Sequence, residues 1–247
     1  MSQVGTGHDV IVVGGGITGC EAACMTARAG LNTLLVTTSL DTLYQLAHDS
    51  AALQPATRTL MHELLEELPA SERGVPAADL RRAARRALEA LPQLHLLQST
   101  AAGLVTEGGS VVGVTTWEGI DRRAPAVALC VGSFLRARLS VGTVVEHQGR
   151  LSEMAYDDLY LDLLARGFEF SDILLEAPAV AGALPYKVSS VALAASEAGS
   201  DLRLARLAGL WAAGVCAPKT DPEPFSYESC ARAGRALGES LVRAASG

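Results

Sequence analysis

Three observations predict an α/β fold with a doubly wound, mainly parallel sheet and a β-meander for this 247-residue chain. First, a continuous apolar run, Val10 to Val13, leads into Gly14, Gly16 and Gly19 and then an alanine-rich helix closed by Gly30. Second, apolar runs of strand length recur among helical patterns, at residues 32–36, 94–98, 126–131 and 210–215. Third, three short segments separated by glycine turns follow one another between residues 103 and 124. Strands alternating with helices imply a parallel sheet covered on both faces, whereas closely spaced strands joined by tight turns imply antiparallel pairing.

The opening motif has G-x-G-x-x-G spacing and sits between a strand and a helix, as in the first turn of a dinucleotide-binding unit. Each glycine has its own task there. Gly14 permits the tight turn, Gly16 lets a pyrophosphate approach the backbone, and Gly19 lets helix and strand pack closely. The helix start, with the backbone of Ile17 and Thr18, offers N–H groups and a positive dipole end to phosphates. The second strand, residues 32–36, ends at Thr37 and Thr38, where such a unit usually carries an acid for the adenosine ribose; the next acid is Asp41. A threonine hydroxyl can still donate to or accept from a ribose hydroxyl.

Residues 39–55 leave the carboxyl end of the sheet, where ligands bind in open α/β folds. His48 in this stretch reads either as an exposed loop histidine or as a proton-transfer residue. Residues 57–68 and 77–91 read as helices around a loop with Gly74 and Pro76. The second has an apolar side of Leu80, Ala84, Leu88 and Leu91, and Arg81, Arg82, Arg85 and Arg86 read as its solvated face or as a local basic patch. Residues 94–98 form a third strand in which His95 reads as a core histidine. The meander follows at 103–107, 111–116 and 119–124. Cys130, in the returning strand, reads as a small buried hydrophobe. Residues 155–166 form a helix with Leu159, Leu163 and Leu164 on its apolar side; Tyr156 and Tyr160, one turn apart, read as packing residues or as a substrate-stacking pair. A short strand pair is expected around 186–193, then a strand at 210–215 and a helix at 227–244.

Composition bounds the function classes. The net charge, 20 basic against 27 acidic side chains, is −7, a poor default for binding a phosphate backbone. The chain is 49% hydrophobic, but no apolar run reaches the ~18 residues that span a bilayer. Residues 1–10 lack the basic and apolar regions of a signal peptide. Five cysteines without C-x-x-C spacing suggest reduced thiols in a cytoplasmic protein. No metal ligand set is read.

The residues also resemble a known family. The opening DVIVVGGGITGCEAACMTARAGLNTLLVTTSLDTLYQ, the stretches VVGVTTWEG and LCVGSFLRARLSVG at 111–119 and 129–142, and GLWAAGVCA and YESCARAGRALG at 209–217 and 227–238 are similar to the glucose-inhibited division protein A family. That family is the FAD-binding large component of a tRNA wobble-uridine modification complex. The likeness covers roughly residues 8–170 and 205–245. It implies a glutathione-reductase-type FAD-binding domain, with 8–142 and 205–245 as the cofactor-binding core of a single domain over 1–247 and 143–204 as a small appended region.

Departures qualify this. Where the family carries M-S-C-N-P, this chain has Leu46, Ala47, His48, Asp49 and Ser50, so His48 stands in place of the redox cysteine. After the GFEF segment the family's K-T-G-T-P-P-R is replaced by SDILLEAPAV. The family's inserted NADH-binding region and its C-terminal tRNA-engaging region have no counterpart in these residues. The resemblance then implies FAD as cofactor. Gly14, Gly16, Ile17, Thr18 and Gly19 would serve the pyrophosphate, Thr37 and Thr38 the ribose, and the backbone of Ala101 the adenine. Gly132, Ser133, Gly214, Val215, Glu228 and Ser229 would line the ribitol and flavin region. His48 and Gln45 are the catalytic candidates by position. Three functions stay open: a small FAD-dependent oxidoreductase of unknown substrate and electron donor, a tRNA-modification component needing a partner, and a non-catalytic FAD-binding module. The isolated chain is expected to bind tRNA weakly or not at all, and to have no membrane partner.

Overall fold

The computed structural model describes residues 7–46, 50, 53–72, 74–150, 153–176, 185–219 and 226–247. Four β-branched residues in a row suit a strand with both faces buried. They form β1 (Val10–Val13), the middle strand of a five-stranded parallel sheet. The chain continues through α1 (Ile17–Arg28), β2 (Thr33–Thr37), α2 (Leu60–Glu67), α3 (Ala77–Glu89) and β3 (Leu94–Gln98). The expected meander is β4 (Ala101–Glu107), β5 (Ser110–Thr116) and β6 (Asp121–Arg123); β7 (Ala126–Leu129) then returns to the main sheet. Next come β8 (Arg138–Val141), β9 (Val144–Glu146), β10 (Gln148–Arg150), β11 (Glu153–Met154), α4 (Asp157–Ala165), β12 (Phe170–Glu176) and β13 (Lys187–Leu193). The described elements close with β14 (Leu210–Ala212) and α5 (Tyr227–Ala245).

The main sheet has the order β14-β7-β1-β2-β3. Val10 lies opposite Thr33 on one side and Ala126 on the other, so β2 and β7 both flank β1 in parallel. The chain winds outward from β1 to β3 and then outward the other way from β7 to β14. The reversal falls between β1 and β7, and the crevice beyond their carboxyl ends is where open α/β sheets hold ligands. Alternation along β1 divides the core into two layers. Val10 and Val12 pack under the four helices α1, α2, α3 and α5; Ile11 and Val13 pack against the meander and α4. Gly234 and Gly238 bring α5 against α1 almost backbone to backbone: a Cβ at Gly234 would lie 2.3 Å from the Thr18 carbonyl oxygen.

Some expectations need correction. His95 is exposed, because β3 is an edge strand; its ring tilts against His8 with centroids 5.4 Å apart. Leu159 and Leu163 are buried but Leu164 is exposed, so the apolar side of α4 is narrower than expected. The strand around 186–193 is part of a hairpin of seven-residue strands, β12 with β13. This hairpin joins a second sheet, β12-β13-β8-β9, in which Ser140 pairs with Lys187. That sheet also includes β8. The last strand stops at Ala212, followed by a tight turn at Gly214–Cys216. The arginines of α3 do form a solvated face, with Arg82 paired to Asp79 and Arg85 to Glu89 and Asp41. No described helix is long and apolar enough to cross a membrane.

Candidate functional site

The turn after β1 builds the site. Gly14 has φ +113°, and a Cβ there would strike the Cys130 carbonyl at 2.3 Å. At Gly19 a Cβ would lie 1.9 Å from the Gly14 carbonyl oxygen, so the first turn of α1 can lie on the end of β1 only without a side chain. Gly16 differs: a Cβ there would meet nothing within 4 Å, because the position opens onto empty space. Gly16 is also the N-cap of α1, with no side-chain capping bond and no acid in the first turn. By contrast, Thr59 caps α2 and Ser226 caps α5. The start of α1 thus presents N–H groups and a positive dipole end outward, in the manner of an anion site.

Two hollows meet at this turn. One is lined by Gly14, Gly15, Gly16, Thr37, Thr38 and Thr42, together with Glu153 and Tyr156. The other is a cleft of about 660 Å³, within the range of small-molecule and cofactor sites. Its walls include Ile17, Thr18, Gln45, Ser133, Val215 and Glu228, with Tyr186 and Tyr227. Gly16, Cys130, Gly132, Phe134 and Arg150 line both, so the two form one elongated path past the start of α1. Thr18 ties the two helices that border the cleft, its hydroxyl donating to the Cys230 carbonyl at 3.1 Å.

The expected site residues within the described part of the chain divide into three groups. Gly14, Gly16, Ile17, Thr18, Thr37, Thr38, Gly132, Ser133, Val215, Glu228 and Gln45 all line the path. Gly19 and Gly214 do not; they shape it by close packing, since a Cβ at Gly214 would lie 2.7 Å from the Thr18 hydroxyl. Ala101 and Ser229 fall outside it. Ala101 is buried in β4 opposite Thr116. The Ser229 hydroxyl is used in a reciprocal capping box with Ser226 and donates to the Ser226 carbonyl at 2.8 Å. Neither hollow is lined by these two residues. His48 lies outside the described residues. Gln45 donates to the Leu46 carbonyl at 2.7 Å and accepts from Arg81; an amide hydrogen-bonds but does not titrate as an acid or base.

Among the described residues, carboxylates and one guanidinium, Arg150, set the electrostatics of the path. Burial would raise the Glu228 carboxyl, but backbone N–H bonds, including one from Gln54 at 3.2 Å, outweigh it and hold the group below its ordinary value. Burial pushes the Cys130 thiol well up, as expected for a buried hydrophobe, and raises Cys230 as well. Glu21, which had no role in the sequence reading, is the principal buried carboxylate behind the site. It accepts from the Tyr44 hydroxyl at 2.5 Å and from the Met61 and Leu60 N–H groups at 2.9 and 2.8 Å. It thereby pins the segment after β2 and the start of α2 to α1. The sequence reading also missed Arg150 and Glu153, which no local motif marks. Among the described residues, no group of three or more His, Cys, Asp or Glu side chains could hold a metal ion.

A parallel sheet with an uncapped glycine turn at its point of reversal defines the Rossmann-like, dinucleotide-binding class of fold. Comparison with known proteins is more specific. The chain belongs to the glucose inhibited division protein A family, whose model matches residues 9–68 and 69–181. It is similar to the tRNA uridine 5-carboxymethylaminomethyl modification enzyme MnmG of Chlamydia trachomatis, 32% identical over 197 residues; the match covers 70% of this chain and 32% of that enzyme. The chain thus spans about a third of the length of the curated relatives it matches. The crystal structure of the GidA-related protein from Thermus thermophilus superposes with a TM-score of 0.84 at 37% identity, covering 96% of this chain and 99% of that one. Aquifex aeolicus GidA superposes at 0.85 with 15% identity over all of this chain and 65% of its own, a likeness of fold.

Proposed function

We propose that the chain binds FAD along the elongated path and acts as a small FAD-dependent oxidoreductase. One observation carries the reading: the two hollows are joined at Gly16, where an uncapped helix start faces open space. A dinucleotide needs that shape, with phosphates at the junction and a ring system in each direction. The N–H groups at Gly16, Ile17 and Thr18 hold the pyrophosphate. Thr37 and Thr38 lie on the adenosine side, while Gly132, Ser133, Val215 and Glu228 line the flavin side. The start of α5 also borders the flavin side, and its dipole favours negative charge there. FAD, when bound, supplies the electron transfer; the protein supplies binding, orientation and exclusion of water.

The test is purification followed by release of the bound cofactor on denaturation. A yellow protein that releases FAD, not FMN, and whose spectrum bleaches with NADH or NADPH is the expected result. A colourless protein that takes up no added FAD overturns the proposal. Flavin that no donor reduces would leave a non-catalytic FAD-binding module. A second reading, a tRNA-modification component working with a partner, is favoured by family membership; copurification with tRNA or a GTPase would support it. His48 is the proton-transfer candidate. His48→Ala should remove a flavin-linked titration between about pH 6 and 8, and an unchanged flavin spectrum and reduction rate across that range would exclude the role.

A further inference from the structure

The end of β2 is a weak grip for a ribose. It carries no acid, and its two threonines are partly engaged. The Thr37 hydroxyl donates to the Ser39 carbonyl at 3.2 Å, and the backbone of Thr38 is hydrogen-bonded to the Tyr156 hydroxyl. Yet the hollow beside them is not without a carboxylate. Glu153, from β11, lines it with only 8% of its surface exposed. A carboxylate so placed needs a partner, and Arg150 of β10 supplies one, its Nε donating to Oε1 at 2.5 Å. One guanidinium N–H does not exhaust the roughly four acceptor positions of a carboxylate. Arg150 lines both hollows, as does Gly16, and among the described residues it is the one cationic side chain that lines either.

We propose that the Arg150–Glu153 pair, presented by the β10–β11 ribbon, clamps the adenosine diphosphate half of the dinucleotide. Glu153 accepts hydrogen bonds from the ribose hydroxyls in place of the acid absent after β2. Arg150, held by Glu153, faces the pyrophosphate at the junction and supplies the charge that the helix dipole, about half an elementary charge, leaves unmet. The proposal rests on the FAD reading and names the residues that select the adenosine end. Specificity for a ribose would then reside in a ribbon more than a hundred residues beyond the glycine turn. Tyr156 completes the wall, fixed to Thr38 and close enough to Glu153 for the carboxylate to disfavour its phenolate.

The experiment uses the full chain, stripped of flavin, and titrates it with FAD and with an FAD analogue whose adenosine ribose lacks both hydroxyls. The wild type is expected to bind FAD at least about tenfold more tightly than the analogue, the effect of hydrogen bonds to a charged acceptor. Glu153→Gln is expected to weaken FAD by a similar factor and leave the analogue nearly unaffected, so that discrimination collapses; a purely structural role would weaken both equally. Arg150→Gln is expected to weaken FAD and flatten the salt dependence of its binding. Equal binding of FAD and the analogue by the wild type overturns the clamp without recourse to any variant. Retained discrimination in Glu153→Gln overturns it as well. Failure of the wild type to bind FAD at all is a distinct result, and it rejects the dinucleotide reading itself.

Discussion

Gly16→Val should separate binding from folding. Gly16 sits at φ −72°, ψ −179°, extended backbone open to any residue. A Cβ there meets nothing within 4 Å, so the substitution forces no clash in the protein. Replacing glycine by an apolar residue at an N-cap costs up to ~1 kcal/mol. Restricting the unfolded chain returns about 0.4–1 kcal/mol. The two nearly cancel, so the melting temperature of the flavin-free chain should move by less than about 4 °C at this size. Binding should not survive so well, because the isopropyl group stands where the first-turn N–H groups open. Each charge-assisted bond is worth roughly 1.5–3 kcal/mol, so losing two weakens binding by about a hundredfold or more. Gly19→Ala is the reverse case. Its methyl would lie 1.9 Å from a backbone oxygen, which cannot swing aside as a side chain can. It should cost ~1–3 kcal/mol or more of folding stability. The assays are thermal unfolding without flavin and titration with FAD by flavin fluorescence. A Gly16→Val variant that binds FAD within threefold of wild type would refute the reasoning, as would one that fails to fold.

Other perturbations probe different parts. Burial raises the Glu21 carboxyl above its ordinary 4.5, against the opposing bonds from Tyr44, Met61 and Leu60. Its contribution to stability is therefore full below about pH 4.5 and is lost as pH rises through the folded value. Glu21→Gln should cost ~1–3 kcal/mol, by leaving a buried N–H poorly paired. Its deficit relative to wild type should shrink as pH rises, and urea unfolding at several pH values would reveal a constant or growing deficit if this is wrong. All five cysteines are buried, and burial pushes Cys24 and Cys216 each to about 11. A thiol-reactive dye at pH 7.5 should label none quickly in the native chain and all five after denaturation; rapid native labelling would contradict the packing. With a net charge of −7, the chain is expected to show no sub-micromolar tRNA affinity at ~150 mM salt, as judged by filter binding.

Much of this was legible in the residues themselves, and the misses share a cause. Val10–Val13, the glycine turn and the alanine-rich helix are local signals, since strand, turn and helix preferences act over a few neighbouring residues. The meander was legible because each of its turns is marked within the chain. His95 was misread because alternation along a strand does not say whether the strand has one neighbour or two. The capping box of Ser226 and Ser229 was not legible, because a serine at a helix start can cap the helix or face a ligand, and only geometry shows the cap.

The sequence alone determined the parallel α/β architecture, the phosphate-type turn at Gly14–Gly19 and the family resemblance, because each is written in short, contiguous patterns. Tertiary structure decided the rest. It joined β8 to β13 across some fifty residues, set Glu21 under the start of α2, and carried Arg150 and Glu153 to the open end of β2. Those relations depend on which strand lies beside which and on how closely two helices approach. Such long-range choices are made by burial summed over the whole core, and they leave no spacing in the sequence from which they can be read.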